Sequence, residues 1–503
     1  MMIKNIKIQI IFLFGCLILM NSCAEDEGNY DYIEINEVVF EGLLEEYTAP
    51  RFDNLIITTE DVKFTVDTEG SGDYEYSWEA VSENGQDNEI YKLSADKNMD
   101  AQIVLFPGEY TLYYLIKDLN TDVEWQHKTK LTVINSIYEG WMVLNEVAGE
   151  SRLDMVSLLN GEYKEIHDVL GFSQSPLTLS GKPGFVQCYG YDPNFYGIYI
   201  STEGNGTTKL DPDTFDWRIE NNLSYEFVSS QPENFEASDL LVKADGMSLV
   251  MENSNFYVYN RLYNIPYSVP QNVSQSGIPF DVSPHFGKGN DYGGFIKMAL
   301  YDETNKKFVY HDGYFSYCHD VPNSSGMFTP GKDLLHMVSN GYNDNLMNTF
   351  AVLKDPVDGK SYIGLFDLNF FAQSHYSEIT ATDFDLAENI AIDPTYAYIF
   401  YNVGGKVYEY DIFTGTTVEM LDKGDQEITK LEYRKFFNSL GFENESYTKM
   451  GKQLIVCTYD DSGAEGSNGT MELYNVPPVQ GQIELDTSYS GFGKIVSIAY
   501  RQR

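Results

Sequence analysis

The segment YIFYNVGGKVYEYD, residues 398–411, reads as a single β-hairpin. Two runs with period-two alternation flank Gly404-Gly405, and Tyr408, Tyr410 and the following Ile412 fall on one face. A Gly-Gly pair between alternating runs is a strong hairpin signal, because both turn residues need backbone conformations that side chains resist. The same plan recurs in six further places. Residues 141–146 turn at Gly149 into 152–158, and 199–202 turn at 204–206 into 207–211. Residues 249–251 turn near 253–255 into 256–259, and 298–301 turn through 302–305 into 307–310. Residues 350–353 turn at 355–359 into 362–367, and 454–459 turn through the acidic loop 460–469 into 470–476.

The turns recur about every 50 residues, close to the length of a four-stranded propeller blade. A blade cannot bury both of its faces alone, so neighbours stack and the ring closes. The expectation is therefore a β-propeller over 136–503, with seven blades and a possible range of six to eight. A second set of sandwiches is the alternative that short strands alone leave open. The run 494–500 has no hairpin partner and is expected to complete the blade that begins near Trp141, joining the two ends of the ring. One insertion, QEITKLEYRKFFNSL over 426–440, places Ile428, Leu431, Phe436 and Leu440 at roughly helical spacing and predicts a rim helix.

Ahead of the repeats, 30–135 is also β-patterned. Residues 62–66 alternate, and Tyr74, Tyr76 and Trp78 share one face of 73–79. A Pro107-Gly108 turn leads into 110–118, and 128–134 forms a last strand. Several short strands around one central tryptophan predict an immunoglobulin-like sandwich. The whole chain is thus all-β: a sandwich followed by a propeller.

The first residues read as an address. Lys4 and Lys7 precede the apolar run 8–20, which has the length of a signal peptide, and then come Asn21-Ser22-Cys23. This pattern resembles a lipoprotein signal over 1–22, with the Cys23 thiol as the acylated new N-terminus. Residues 23–29 would form an acidic tether. Glu25, Asp26 and Glu27 resemble the surface-export signal of Bacteroides-type lipoproteins, which implies an outer-membrane, surface-exposed, lipid-anchored protein. Tyr76-Ser77-Trp78, Pro107-Gly108-Glu109-Tyr110 and Asp118 resemble a PKD-type domain. Gly28-Asn29-Tyr30-Asp31-Tyr32 resembles the start of PKD-like lipoproteins of Bacteroidetes. That resemblance implies association with a SusC/SusD-like uptake system, in which a TonB-dependent barrel imports glycans or oligopeptides. The propeller would then be a capture or docking platform and the sandwich a spacer.

The formal charge is −43, from 76 acidic and 33 basic residues, which excludes the basic footprint that nucleic-acid binding needs. Of five cysteines, Cys16 would leave with the signal and Cys23 would carry lipid. Cys188, Cys318 and Cys457 are far apart in sequence and form no disulfide framework; Cys188 and Cys457 sit in apolar strands as core residues.

Chemistry is sparse. The chain carries no H-E-x-x-H pair, no G-x-S-x-G elbow and no Walker loop. The densest cluster is His311-Asp312 with Cys318-His319-Asp320, whose members can point to different faces of a hairpin. Asp460, Asp461 and Glu465 could offer oxygens to calcium, without EF-hand spacing. Neither a metal nor another cofactor is assigned, and no catalytic residue. Aromatic clusters at Tyr189, Tyr191, Phe195 and Tyr196, and at Tyr314, Phe315 and Tyr317, could stack on sugar rings or grip peptide side chains. A binding role leads, with a propeller hydrolase or lyase of polysaccharide and a structural adhesin as alternatives.

Overall fold

The computed structural model describes residues 35–83, 89–189, 197–242, 247–261, 263–289, 297–436 and 444–503. Cys23 and the acidic residues behind it lie outside the described residues. The chain divides into two compact units, one ending at Ile134 and one beginning at Asn135. No helix among the described residues is long and apolar enough to cross a membrane.

The first unit is a sandwich. Its larger layer runs in the order Glu46–Pro50, Glu124–Ile134, Gly108–Asp118, Tyr74–Ser82, Ile90–Ser94. Opposite it lie the pairs Val38–Phe40 with Val62–Phe64 and Asn54–Ile57 with Met99–Gln102. Trp78 is fully buried and stacks on Tyr114, ring centroids 4.2 Å apart. Tyr74 stacks on Phe64 at 4.3 Å, so the tyrosine-tryptophan face read from the sequence is the inner face. The Tyr110 hydroxyl donates to the Phe106 carbonyl, 2.8 Å away, which pins the entry to the Gly108–Asp118 strand as a tyrosine corner does.

The second unit holds seven sheets among the described residues, and every hairpin read from the sequence is a pair of adjacent strands in one of them, the central pair in each four-stranded sheet. The Ile399–Val403 and Lys406–Asp411 strands pair around Gly404, whose φ is +55°. A Cβ on Gly405 would stand 2.2 Å from the Gly424 carbonyl oxygen, so that turn admits only glycine. Each sheet packs on the next through a shared apolar core: second on third, third on fourth, fourth on fifth, fifth on sixth, sixth on seventh. The seventh packs on the first around Trp141, Ile455 and Phe492. The first joins the second where the Val186 amide donates to Ser497 Oγ at 3.1 Å. The ring is therefore continuous, and the unit is a β-propeller.

The clasp is the last strand. Lys494–Arg501 pairs antiparallel with Gly140–Val147, the outermost strand in sequence meeting the first. It occupies the innermost place of the first sheet, ahead of Gly140–Val147, Glu150–Leu159 and Glu162–Ile166.

Among the described residues of 426–440, where the spacing predicts a helix, there is none. Glu427–Glu432 is the innermost strand of the seventh sheet, and the nearest helix is Glu445–Met450, capped by the Asn444 side chain. A β-bulge between Ile428 and Lys430 explains the misreading. The extra residue lets Ile428 and Leu431 share one buried face three apart, a spacing that imitates a helix. Residues 437–440 of that segment lie outside the described residues.

The junction of the second and third sheets contains a closed polar network. Arg261 Nη2 donates to Glu226 Oε2 at 2.7 Å and to the Tyr199 hydroxyl at 2.8 Å. Lys209 Nζ and the Tyr199 hydroxyl donate to Glu226 Oε1 at 3.1 and 2.7 Å. Burial alone would push the Glu226 pKa up, but Arg261 and Lys209 outweigh it and hold it below the usual carboxylate range.

Candidate functional site

A propeller brings the innermost strand of every blade to its axis. Here those strands are Lys494–Arg501, Pro183–Tyr189, Asp239–Val242, Asp333–Ser339, Ile390–Ile392 and Glu427–Glu432. In the fourth sheet, residues 282–287 take the same place, bridging antiparallel to Met298–Asp302 through Gly287 and Ala299. Two cavities lie along this axis, of about 520 and 270 Å³, and both have Val338 and Tyr433 in their walls. Between them they are lined from all seven sheets: Ala499, Gln187, Asp239, His285, His336, Ile390 and Lys430 each come from a different one. The larger lies in the range of roughly 300–1,000 Å³ typical of small-molecule sites.

The larger cavity is polar, with Lys354, Lys430, Asp385, Glu388 and Glu432 in its wall beside imidazole and amide groups. His285 and His336 stand with ring centroids 5.4 Å apart. Burial, and then the neighbouring His285, push the His336 pKa down to about 3, and burial lowers that of His285. Both rings are neutral near pH 7, each presenting one donor and one acceptor. Asn340 Nδ2 donates to the Ile392 carbonyl at 3.0 Å, and Asn389 Nδ2 to the Ile428 carbonyl at 3.2 Å, tying adjacent inner strands together at the wall. The bulges at Leu334/His336 and at Ile428/Lys430 fall in these strands and break their regular alternation beside the channel.

The smaller cavity carries charge. Asp239, Lys288, Arg434 and Lys435 line it. Burial raises the pKa of Asp239, opposed by the Leu240 amide 2.7 Å from its Oδ1 and by Arg434 and Lys430. Arg434 Nε stands 2.6 Å from Glu432 Oε1, and Lys430 Nζ stands 3.6 Å from Glu432 Oε2.

Tyr433 links the channel to a second feature, the junction of the sixth and seventh sheets. Asp393 and Glu409 are fully buried there, beside Tyr398 and Phe400. Asp393 Oδ1 caps its own turn, accepting from the Thr395 and Tyr396 amides, and the Tyr433 hydroxyl beside the carboxylate opposes the effect of burial on its pKa. Among the described residues Glu409 has no cation beside it, and only the Gln480 amide opposes the effect of its burial. Burial, with Asp393 and Asp411 close by, pushes the Glu409 pKa up to about 8, so this group holds its proton at neutral pH.

The sites suggested by the sequence fare differently. The Asp312 carboxylate meets His319 Nε2 at 3.1 Å, but His311 is buried against Phe256 and Asp320 turns to Lys307 at 2.6 Å. The five residues of that cluster do not converge. Cys188, Cys318 and Cys457 are all buried and unbridged. Asp460 Oδ1 is taken by the Ser462 amide and hydroxyl, at 2.9 and 2.6 Å. No three His, Cys, Asp or Glu among the described residues are grouped to hold a metal ion. Tyr314 and Phe315 are about half exposed, and Phe315, Tyr317 and His319 form a stacked group with Phe315–Tyr317 centroids 5.1 Å apart. Tyr191, Phe195 and Tyr196 lie outside the described residues. The His285–His336 pair was missed, although the two residues are one repeat length apart and occupy corresponding inner strands; aligning the repeats on their turns would have found it.

The profile of the PKD-like family matches residues 23–181. The N-terminal domain is PKD-like. The match runs on from the PKD-like domain into the first sheet of the propeller. No curated protein matches the chain in sequence. Among solved structures, the chain is similar to a quinonprotein alcohol dehydrogenase-like protein from Bacteroides thetaiotaomicron, at 12% identity and a TM-score of 0.47, over 94% of this chain and 100% of that one. It is also similar to the extracellular domain of a hybrid two component system from B. thetaiotaomicron, at 12% identity and a TM-score of 0.34, over 61% of this chain and 33% of that one. A DUF4784 family protein from Bacteroides caccae is similar at 11% identity and a TM-score of 0.32, over 78% of this chain and 97% of that one.

Proposed function

We propose that this chain is a lipid-anchored, surface-exposed outer-membrane protein that binds a glycan or oligopeptide for a SusC/SusD-like uptake system, with the axial channel as its ligand site. The anchor is Cys23, and Glu25, Asp26 and Glu27 direct it outward. The observation that supports a binding role is the channel itself: the inner strands border two cavities, the larger of about 520 Å³ and walled by neutral imidazoles, amides and Tyr433 together with Lys354, Asp385, Glu388, Lys430 and Glu432. Such a wall offers both donors and acceptors, which suits hydroxyl-rich or amide-rich solutes. The exposed group at Tyr314, Phe315 and Tyr317 offers aromatic faces for an initial capture. Held near a barrel, such a protein raises the local concentration of its cargo.

The test is affinity capture of the tagged full-length protein from detergent-solubilised outer membranes, with mass spectrometry of what accompanies it. Recovery of a TonB-dependent barrel and its lipoprotein partner is expected. Recovery of the protein alone, in cells expressing such a system, overturns the uptake role. Protease shaving of intact cells checks the outward placement.

One observation favours a second reading, hydrolysis. Asp239 is an acid with a raised pKa, Glu432 is a carboxylate held by Arg434, and both border the channel. Paired carboxylates with contrasting environments are what glycoside hydrolysis requires. Turnover of a glycan by the wild type that disappears in Asp239→Asn would decide for it.

A further inference from the structure

We propose that Arg434 anchors a carboxylate of the ligand, so that the channel takes a carboxylate-bearing solute in preference to a neutral one. This rests on the channel being the ligand site.

Arg434 follows the inner strand of the seventh sheet, one residue after the tyrosine that both cavities share, and lines the smaller cavity. Its guanidinium is held from one side only. Nε lies 2.6 Å from Glu432 Oε1, in contact but off the line of a hydrogen bond. No described residue bonds to Nη1 or Nη2, and these atoms are not among those sealed from solvent, so they open onto the cavity. The two terminal nitrogens of a guanidinium form a planar fork that fits both oxygens of a carboxylate, and such a bidentate pair is among the strongest polar contacts available. An arginine oriented by one carboxylate at Nε and left open at its fork is poised for a second.

The charge around it points the same way. Lys288 and Lys435 line the same cavity, and Asp239 is the one carboxylate among the described lining residues. The lining thus carries three cationic side chains and one carboxylate, inside a chain whose formal charge is −43. Field lines concentrate in a cleft with low-dielectric walls, so the Arg434 guanidinium attracts an anion there even though the outer surface repels it. Glu432, which steadies the guanidinium, is itself shared with Lys430, so it neutralises Arg434 only in part. The adjoining cavity, with His285, His336, Asn340 and Asn389, then receives the uncharged body of the solute. A uronic acid within a glycan and the C-terminus of an oligopeptide share this chemistry.

The test is titration calorimetry of the full-length protein with four probes: tri-galacturonate, its methyl ester, trialanine and trialanine amide. The acid form of at least one pair is expected to bind at least tenfold more tightly than its neutral form. Raising the salt concentration should weaken only the acid form. Arg434→Gln should abolish the difference between acid and neutral forms, and Arg434→Lys, which keeps the charge but loses the fork, should keep part of it. Unchanged circular dichroism and melting establish that each variant is folded. Equal binding of acid and neutral forms overturns the anchor while leaving the channel as a ligand site. An acid preference that survives Arg434→Gln overturns it too, as does failure of all four probes. The uptake role stands or falls separately, on capture of the barrel.

Discussion

At the junction of the second and third sheets, Glu226 is surrounded by Arg261, Lys209 and the Tyr199 hydroxyl, and remains charged. At the junction of the sixth and seventh, Glu409 sits in an apolar row with Asp393 as its nearest ionisable company, and holds its proton near pH 7. The two junctions share one architecture, hairpin against hairpin around a buried core. They differ in whether the carboxylate was given cations. A closed network of this kind fixes the packing of its two sheets, because every buried polar group in it depends on the others. An open one leaves a group whose charge state, and therefore whose energy, follows the solvent. Both junctions reach the channel, the closed one through Leu240 and the open one through Tyr433.

Breaking the closed network should have the largest effect. Arg261→Met leaves Glu226 and Tyr199 buried without their main partner, and should lower stability by about 3–5 kcal/mol in chemical denaturation. A loss below about 1 kcal/mol would mean that the network is slack, and the contrast with Glu409 would disappear.

Next is the pH dependence of the open junction. The folded pKa of Glu409, about 8, stands above the ordinary value of 4.5, so the native state binds a proton that the unfolded state has released between those limits. The stability associated with that proton is fully present below pH 4.5 and is lost as pH rises towards 8. Thermal melting followed from pH 5 to pH 8.5 should therefore show a falling contribution that Glu409→Gln removes, and the variant should be more stable than the wild type by ~2 kcal/mol at pH 8. Parallel profiles for the two proteins would show that Glu409 titrates normally.

The smallest expected effect comes from Tyr199→Phe, which removes one hydroxyl from the closed network but leaves the ion pair. It should lower stability by about 1 kcal/mol. A loss comparable to that of Arg261→Met would make the hydroxyl, not the ion pair, the centre of the network.

The central hairpins were legible because each carries its own evidence: period-two alternation on both sides of a glycine- or asparagine-rich turn. The inner strands were not. Ile390–Ile392 and Asp239–Val242 are too short to show a period, and Glu427–Glu432 has its period broken by a bulge. Since the channel is built from those strands, the parts of the sequence that announce the propeller are not the parts that line its axis. Arg434 and the two histidines carry no motif; their meaning comes from convergence of strands that are distant in the chain. Glu409 was hidden differently. In the hairpin that reads most clearly it occupies a position whose alternation mates are Val407 and Asp411, and only the packing of the next sheet shows that it is sealed.

The clasp strand has a consequence for how the protein is made. The Tyr500 hydroxyl donates to Glu139 Oε1 at 2.8 Å across a sequence separation of 361, and the whole Gly140–Val147 edge waits for that same strand. Contacts so distant in sequence form late, after the loop between them has been ordered. A chain whose synthesis stops short of Lys494 would present an open edge in its first sheet, the kind of surface that recruits other strands. The ring thus works as a completion check, in which the closing strand certifies the strand that opens the propeller.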